Sequence, residues 1–224
     1  MLSKTQEEKI SIYCDKILEL NKHINLTAIT DKNMFHVKHV VDSLKCMDIQ
    51  EYEESVEIVD VGTGAGFPAI PLAIASPEKN FLLVDSVAKK LRIIDKLCSD
   101  LNITNVKTKH GRVEDIGHDE KYREKYDLCV SRAVARLNIL AEWCLPLLKT
   151  GGTMIAYKGS KAREELEEAN VAIEILGGSN IRIVDYNENK DGITEHALII
   201  IEKVKNTPLT YPRKPGKAKQ EPIK

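Results

Sequence analysis

The sequence has no cysteines at C-x-x-C spacing. Its five cysteines, Cys14, Cys46, Cys98, Cys129 and Cys144, are odd in number and widely scattered. That pattern argues against a disulfide framework or a zinc module and predicts a reducing, cytoplasmic setting. No apolar stretch follows the opening MLSKTQEEKI, so nothing there reads as a secretion signal. A membrane-spanning run is also missing: the longest uncharged stretch, Val61 to Pro77, is broken by three glycines and three prolines. Net charge is nearly absent, with 33 basic residues against 34 acidic giving −1. With 42% hydrophobic residues over 224 positions, the composition excludes a disordered chain and suits one large core. No internal repeat is visible.

The small total hides an uneven distribution. Residues 205–224, KNTPLTYPRKPGKAKQEPIK, carry six basic residues, one acid and four prolines, a local +5 that leaves −6 on the rest. So many prolines with so little aliphatic content predict a mobile or extended arm outside the core. Pro212 and Pro215 would then present Arg213 and Lys214 outward, where a phosphate backbone is the natural partner. A solubilising tail is the plainer alternative.

Periodicity supplies the elements. Ile10, Tyr13, Cys14, Ile17, Leu20 and Ile24 predict an amphipathic helix over 5–24. A second, near 33–48, places Phe35, His39, Val40, Ser43, Leu44 and Met47 on one face. From residue 56 short aliphatic runs predict strands at 56–61, 80–84, 105–109, 127–131, 153–157, 180–185 and 195–202. Helical patterns separate the first five, most clearly at Val87–Leu101. This alternation predicts an α/β fold, a seven-stranded, mainly parallel sheet with helices on both sides. The last two strands, joined by NENKDGI, should form an antiparallel hairpin at one edge. The chain then divides into an N-terminal helical cap at 1–50, a core at 51–204 and the basic arm at 205–224.

The first strand runs into Asp60-Val61-Gly62-Thr63-Gly64-Ala65-Gly66-Phe67-Pro68, a glycine turn at the carboxyl end of a strand, where such sheets bind ligands. Asp60 precedes the turn. Asp85 ends the second strand 23 residues after Gly62, where a carboxylate meets ribose hydroxyls. A pyrophosphate needs open amide donors at a helix N-terminus, yet Pro68 removes one and Phe67 crowds the place. An adenosine carrying a cationic sulfonium, S-adenosyl-L-methionine, therefore fits better than a nicotinamide dinucleotide. Glycines serving only a tight turn are the bland alternative. Asp85→Ala should spare the fold, on the expectation that the carboxylate's partners lie on the ligand. In the loop after the third strand, Val113 is placed to pack on adenine, while Glu114 and Asp115 equally suit a helix start. Arg132 ends the fourth strand at the mouth of the same crevice.

The runs NLTAI (25–29), HVVDSL (39–44), DVGTGAGFPAIPLAI (60–74), LVDS (83–86), SRAVARL (131–137), LPLLKTGG (145–152), YKG (157–159) and YPRKPG (211–216) occur in order along nearly the whole chain. Together they resemble the glucose-inhibited division protein B family, bacterial methyltransferases that modify N7 of one guanine in the 530 loop of 16S rRNA. HVVDSL, SRAVA and YPRKPG are its more specific signatures. Ala69 stands where the family often has glycine. The resemblance implies a Rossmann-like class I methyltransferase fold and S-adenosyl-L-methionine contacts at Gly62, Phe67, Asp85, Val113, Glu114 and Arg132. It implies substrate-side roles for His39, Asp42, Lys158 and the basic arm, with 16S rRNA or the small ribosomal subunit as partner.

Guanine N7 offers a lone pair and no proton, so no general base and no catalytic residue in that sense is expected. The chain has no N/D-P-P-Y motif for an exocyclic amine and no Pro-Cys pair for attack on a pyrimidine. Cys144 should be core. Because N7 must stay open, an arginine cannot read the base through O6 and N7 together. Lys158, Arg132 and Arg136 are the candidate O6 donors. His36 and His39, three apart, lack a third metal ligand, so packing or a hydrogen bond to Asp42 is expected instead. A monomer is expected. A small-molecule methyltransferase and a non-catalytic ribosome-associated protein are the competing readings.

Overall fold

The computed structural model describes residues 2–187 and 195–224. Its centre is a seven-stranded sheet of β1 (Glu57–Val61), β2 (Asn80–Asp85), β3 (Val106–His110), β4 (Tyr126–Arg132), β5 (Leu148–Lys158), β6 (Gly178–Asn187) and β7 (Glu195–Lys203), in the order β3-β2-β1-β4-β5-β7-β6. β1 to β5 pair in parallel, and β7 lies antiparallel between β5 and the edge strand β6. The hairpin is as predicted, while its link NENKDGI lies outside the described residues beyond Asn187. β5 starts five residues earlier than its aliphatic run. The register slips between Tyr126 and Leu128, and a side chain at Gly152 would meet three carbonyl oxygens at 2.9–3.0 Å.

Strand alternation builds two cores. Ile58 faces one with Tyr13, Phe35, Ile70 and Ile94, while Val59 and Val61 face the other with Leu137, Leu140 and Ile173. Burial on both faces is what parallel strands require. Helices Ala69–Ala75 and Ala88–Asp100 belong to the first core, and Leu137–Cys144 and Ala162–Ile175 to the second. Cys144 is fully buried core, as expected.

The N-terminal cap rests on the first core. Helix Lys4–Asn21 opens with a Ser3–Gln6 capping box and buries Ile10, Tyr13, Cys14 and Ile17 at helical spacing. The second predicted helix is not uniform. It begins as Lys32–Phe35, widens into a π-helical turn at His36–Val41, where the Asp42 amide reaches back five residues to the Val37 carbonyl, and tightens to 3-10 geometry at Lys45–Asp48. The wide turn breaks the single predicted face: Phe35 and Val40 are buried, whereas Met47 is exposed.

The C-terminal segment corrects the sequence reading. Residues 205–224 are folded onto the body, with Thr207 and Ala218 buried. Arg123 donates to the carbonyls of Gly117, Thr207 and Tyr211 at 2.7–2.8 Å. The planar Arg123 guanidinium thus gathers the carbonyls of a segment whose prolines leave it few amide donors of its own. The Arg213 guanidinium turns inward to the buried Glu142, so only Lys214 is presented to solvent as expected.

Candidate active site

β1 is the switch point of the sheet: the chain goes on to β2 and β3 on one side and later to β4 and β5 on the other. The carboxyl ends of these strands open into a crevice of about 430 Å³, ample for a small ligand.

The glycine turn forms its floor. Gly62 and Thr63 donate to the Val84 carbonyl at 2.8 and 3.1 Å, tying the turn to β2. Gly62 has φ +76°, and a β-carbon there would lie 2.6 Å from Val134 Cγ2, so only bare backbone fits. Behind the turn, the Tyr13 hydroxyl donates to the Ala65 carbonyl at 2.8 Å and fills the space a side chain at Gly66 would need. The N-terminal helix thus braces the turn.

Asp85 stands at the β2 end of the crevice. Its Oδ2 accepts from the Gly64 amide at 3.0 Å and its Oδ1 from the Val87 amide at 2.8 Å. This corrects the expectation that its partners lie on the ligand alone: two backbone amides aim the carboxylate, and its remaining lone pairs are left for ribose hydroxyls.

Two strand spacings away, about 10 Å, Arg132 ends β4 and meets the cap. Its Nη1 donates to Asp42 Oδ2 at 2.7 Å and the Lys38 carbonyl at 3.0 Å, and its Nη2 to His39 Nδ1 at 2.9 Å. A guanidinium only donates, so His39 Nδ1 is bare and the ring hydrogen sits on Nε2, which donates to Thr27 Oγ1 at 2.9 Å. Burial first, then the Arg132 charge, lower the His39 pKa to about 4, keeping the ring neutral at pH 7. The imidazole stacks on Phe67 with centroids 4.9 Å apart, and the Arg132 guanidinium lies 5.7 Å from the same ring. No direct His39–Asp42 bond forms; Arg132 bridges the two. Asp42 also accepts from the Tyr186 hydroxyl.

Of the residues singled out in the sequence, His39, Gly62, Gly64, Phe67, Asp85, Val113, Glu114 and Arg132 line the crevice. Asp60, Gly66 and Asp42 stand behind its wall. Asp60 is 1% exposed, neither carboxylate oxygen has a partner at full hydrogen-bonding geometry, and burial pushes its pKa up to about 7 against the opposing pull of the nearby Thr63 hydroxyl and Ala69 amide. Lys158 and Arg136, expected on the substrate side, are not in the crevice lining. Lys158 Nζ is bound to Glu165 and the Ala135 carbonyl, both at 2.7 Å, and Arg136 reaches Glu168 at 2.6 Å and Glu164 at 3.3 Å, so neither faces the crevice.

Sequence reasoning missed Thr27, Lys90, Arg112, Trp143 and Lys219, all in the lining. Thr27 sat inside the NLTAI run without an assigned role. Lys219 arrives because the C-terminal segment docks here: the Gly216 amide donates to the buried Glu114 at 3.1 Å, and Lys219 Nζ lies 5.2 Å from the Trp143 ring centroid. Among the described residues no group of three or more metal-ligating side chains converges.

The family model for GidB, rRNA small subunit methyltransferase G, matches residues 6–196. The chain belongs to the rRNA small subunit methyltransferase G family. It is 43% identical over 223 residues to ribosomal RNA small subunit methyltransferase G of Alkaliphilus oremlandii, covering 100% of this chain and 93% of that protein. The Lactobacillus acidophilus protein of the same name is 41% identical over 226 residues, covering 99% and 93%. Among solved structures, an O-methyltransferase from Bacillus cereus in complex with SAH superposes with a TM-score of 0.58 at 17% identity over 86% of this chain and 91% of that one. An rRNA methylase from Streptococcus thermophilus gives 0.52 at 17% identity over 71% and 95%. These distant likenesses establish the class I methyltransferase fold.

As a member of the rRNA small subunit methyltransferase G family, the chain is a methyltransferase whose methyl donor is S-adenosylmethionine. The crevice fits that donor: a bare turn at Gly62 and Gly64, an aimed carboxylate at Asp85, and an apolar wall at Val113. No helix among the described residues is long and apolar enough to cross a membrane.

Proposed function

We propose that this chain methylates N7 of a guanine in the 530 loop of 16S rRNA, as a cytoplasmic monomer acting on the rRNA or the small ribosomal subunit. The rRNA target rests on the family and on the names of its relatives. The choice of a ring nitrogen rests on one observation: among the described residues, the β4 end of the crevice holds no idle base. His39 Nδ1 is taken by Arg132 and Nε2 carries the hydrogen given to Thr27. Asp42 is engaged by Arg132 and Tyr186, and Asp60 is walled off behind the turn. A nucleophile that must lose a proton would find no acceptor there. Guanine N7 has none to lose.

S-adenosylmethionine, when bound, would supply an electrophilic methyl group for the N7 lone pair, the electron pair of the broken carbon–sulfur bond leaving with sulfur. The protein's part is alignment. Asp85 and the glycine turn hold the nucleoside end, while Phe67, with the His39 ring stacked on it and Arg132 beside that ring, shapes the reacting end without adding a charge that opposes the transfer. The cap and the C-terminal segment narrow the crevice from opposite sides.

The test is transfer of labelled methyl from S-adenosylmethionine to small ribosomal subunits, followed by borohydride and aniline treatment. Scission at one guanine is the expected result. Label without scission would place the methyl on another atom, and label in neither subunits nor free rRNA would favour a small-molecule substrate.

A further inference from the structure

With Lys158, Arg136 and Arg132 all engaged by acids of the protein itself, the base-reading group must be sought elsewhere, and the cap supplies one. Asn21 fixes Thr27 from three directions: Oδ1 accepts from the Leu26 amide at 2.7 Å and the Thr27 amide at 2.9 Å, and Nδ2 donates to the Thr27 carbonyl at 2.9 Å. The Thr27 hydroxyl then accepts twice, from His39 Nε2–H at 2.9 Å and from the Ile29 amide at 3.1 Å. A hydroxyl has two lone pairs and one hydrogen. Both lone pairs are spent, so only the hydrogen is left to give, on a residue that lines the crevice beside His39 and Phe67.

We infer that Thr27 is the specificity-determining residue that reads the purine carbonyl, donating to guanine O6 and leaving N7 open. The inference rests on the guanine-N7 reading and names the recognising atom for it. The purine that shares an accessible N7 is adenine, and it carries an amino group where guanine has O6. Thr27 cannot accept from that amino group, so two donors would face each other. The group is also stronger than a free hydroxyl. Arg132 donates to His39, His39 to Thr27, and Thr27 onward, so each bond polarises the next and a cation stands at the head of the chain. Asp42 holds that cation in place.

Thr27→Val keeps the shape and removes the donor together with the acceptor that His39 and the Ile29 amide use, and Thr27→Ser restores both. The substrates are small subunits reconstituted with 16S rRNA carrying guanine or 2-aminopurine at the target. 2-Aminopurine keeps N7 and lacks O6. On guanine, Thr27→Val should lower kcat/KM about tenfold, Thr27→Ser should recover most of it, and calorimetry should give an unchanged S-adenosylmethionine affinity for all three proteins. On 2-aminopurine the ratio of wild type to Thr27→Val should fall to one, because the contact is gone from both. A ratio that stays near tenfold on both bases would make Thr27 a structural residue and overturn the inference. Equal activity of Thr27→Val and wild type on guanine would do the same. If wild type forms no 7-methylguanine at all, the N7 reading itself falls, whatever Thr27 does.

Discussion

Arg213 meets the buried carboxylate of Glu142 through both oxygens, with Nε at 3.0 and 3.1 Å and Nη2 at 2.6 Å, and its own amide adds a fourth bond at 2.8 Å. The glutamate side chain is 1% exposed and the arginine 24%. A basic residue that composition assigns to solvent thus pins its segment to the helix Leu137–Cys144.

Arg213→Ala leaves Glu142 buried without its charged partner, holding only the backbone amide of residue 213. Removing one member of a buried pair is the costly direction. Because the arginine sits at the rim, a loss of about 2 kcal/mol is expected in urea unfolding, together with faster trypsin cleavage after Lys217, whose neighbour Ala218 is buried in the docked segment. Unchanged stability would mean that water replaces the arginine at no cost.

Asp85→Ala should weaken S-adenosylmethionine binding by about 2 kcal/mol, the scale of hydrogen bonds to a charged acceptor. Since the carboxylate also takes the Gly64 and Val87 amides, the variant should also lose about 1 kcal/mol of stability without cofactor. Calorimetry and denaturant unfolding separate the two effects.

Asp60 gives a pH signature. Its folded pKa, raised to about 7 by burial, lies above the ordinary aspartate value of 3.8. Between those values the folded state holds a proton that the unfolded state has released, so stability falls as pH rises through this window and levels off above it. Asp60→Asn is neutral throughout. Its thermal midpoint relative to wild type, both without cofactor, should therefore climb from about pH 4 to about pH 7 and then stay flat. A difference that does not change with pH would show that Asp60 titrates normally.

Lys214 and Lys219 are exposed, and Lys219 is in the crevice lining. Exchanging both for glutamine should make the salt dependence of rRNA binding shallower by about 0.7 per lost phosphate contact, about 1.4 in log–log slope if both touch single-stranded backbone. An unchanged slope would place the RNA elsewhere. Deleting residues 206–224 is a poorer test, because it takes the Thr207 and Tyr211 acceptors from Arg123 and uncovers the buried Lys203, which donates to Thr207.

The sheet, its hairpin and the glycine turn were legible because period-two alternation and glycine needs are local properties. Asp85 was legible too, from the distance to Gly62. What the sequence withheld is which charges meet. Arg136, Lys158 and Arg213 look alike in a charge count, yet each meets its own acids: Glu168 and Glu164 for Arg136, Glu165 for Lys158 and Glu142 for Arg213. Arg132 and Asp42 are 90 positions apart, and Arg123 and Thr207 are 84 apart. No pattern in either neighbourhood announces the partner. Thr27 was hidden for a further reason: its role depends on both its lone pairs being occupied, which only the assembled cap reveals.

The π-helical turn at His36–Val41 has an evolutionary consequence. Deleting one residue inside it would let the Asp42 segment resume ordinary α-helical bonding, a local improvement. It would also rotate the chain before the deletion by about 100° relative to the chain after it, carrying Phe35 and its neighbours away from the Phe67 ring. A length change that heals the helix would therefore break up this cluster of rings, and lineages that keep the cluster should keep the surplus residue.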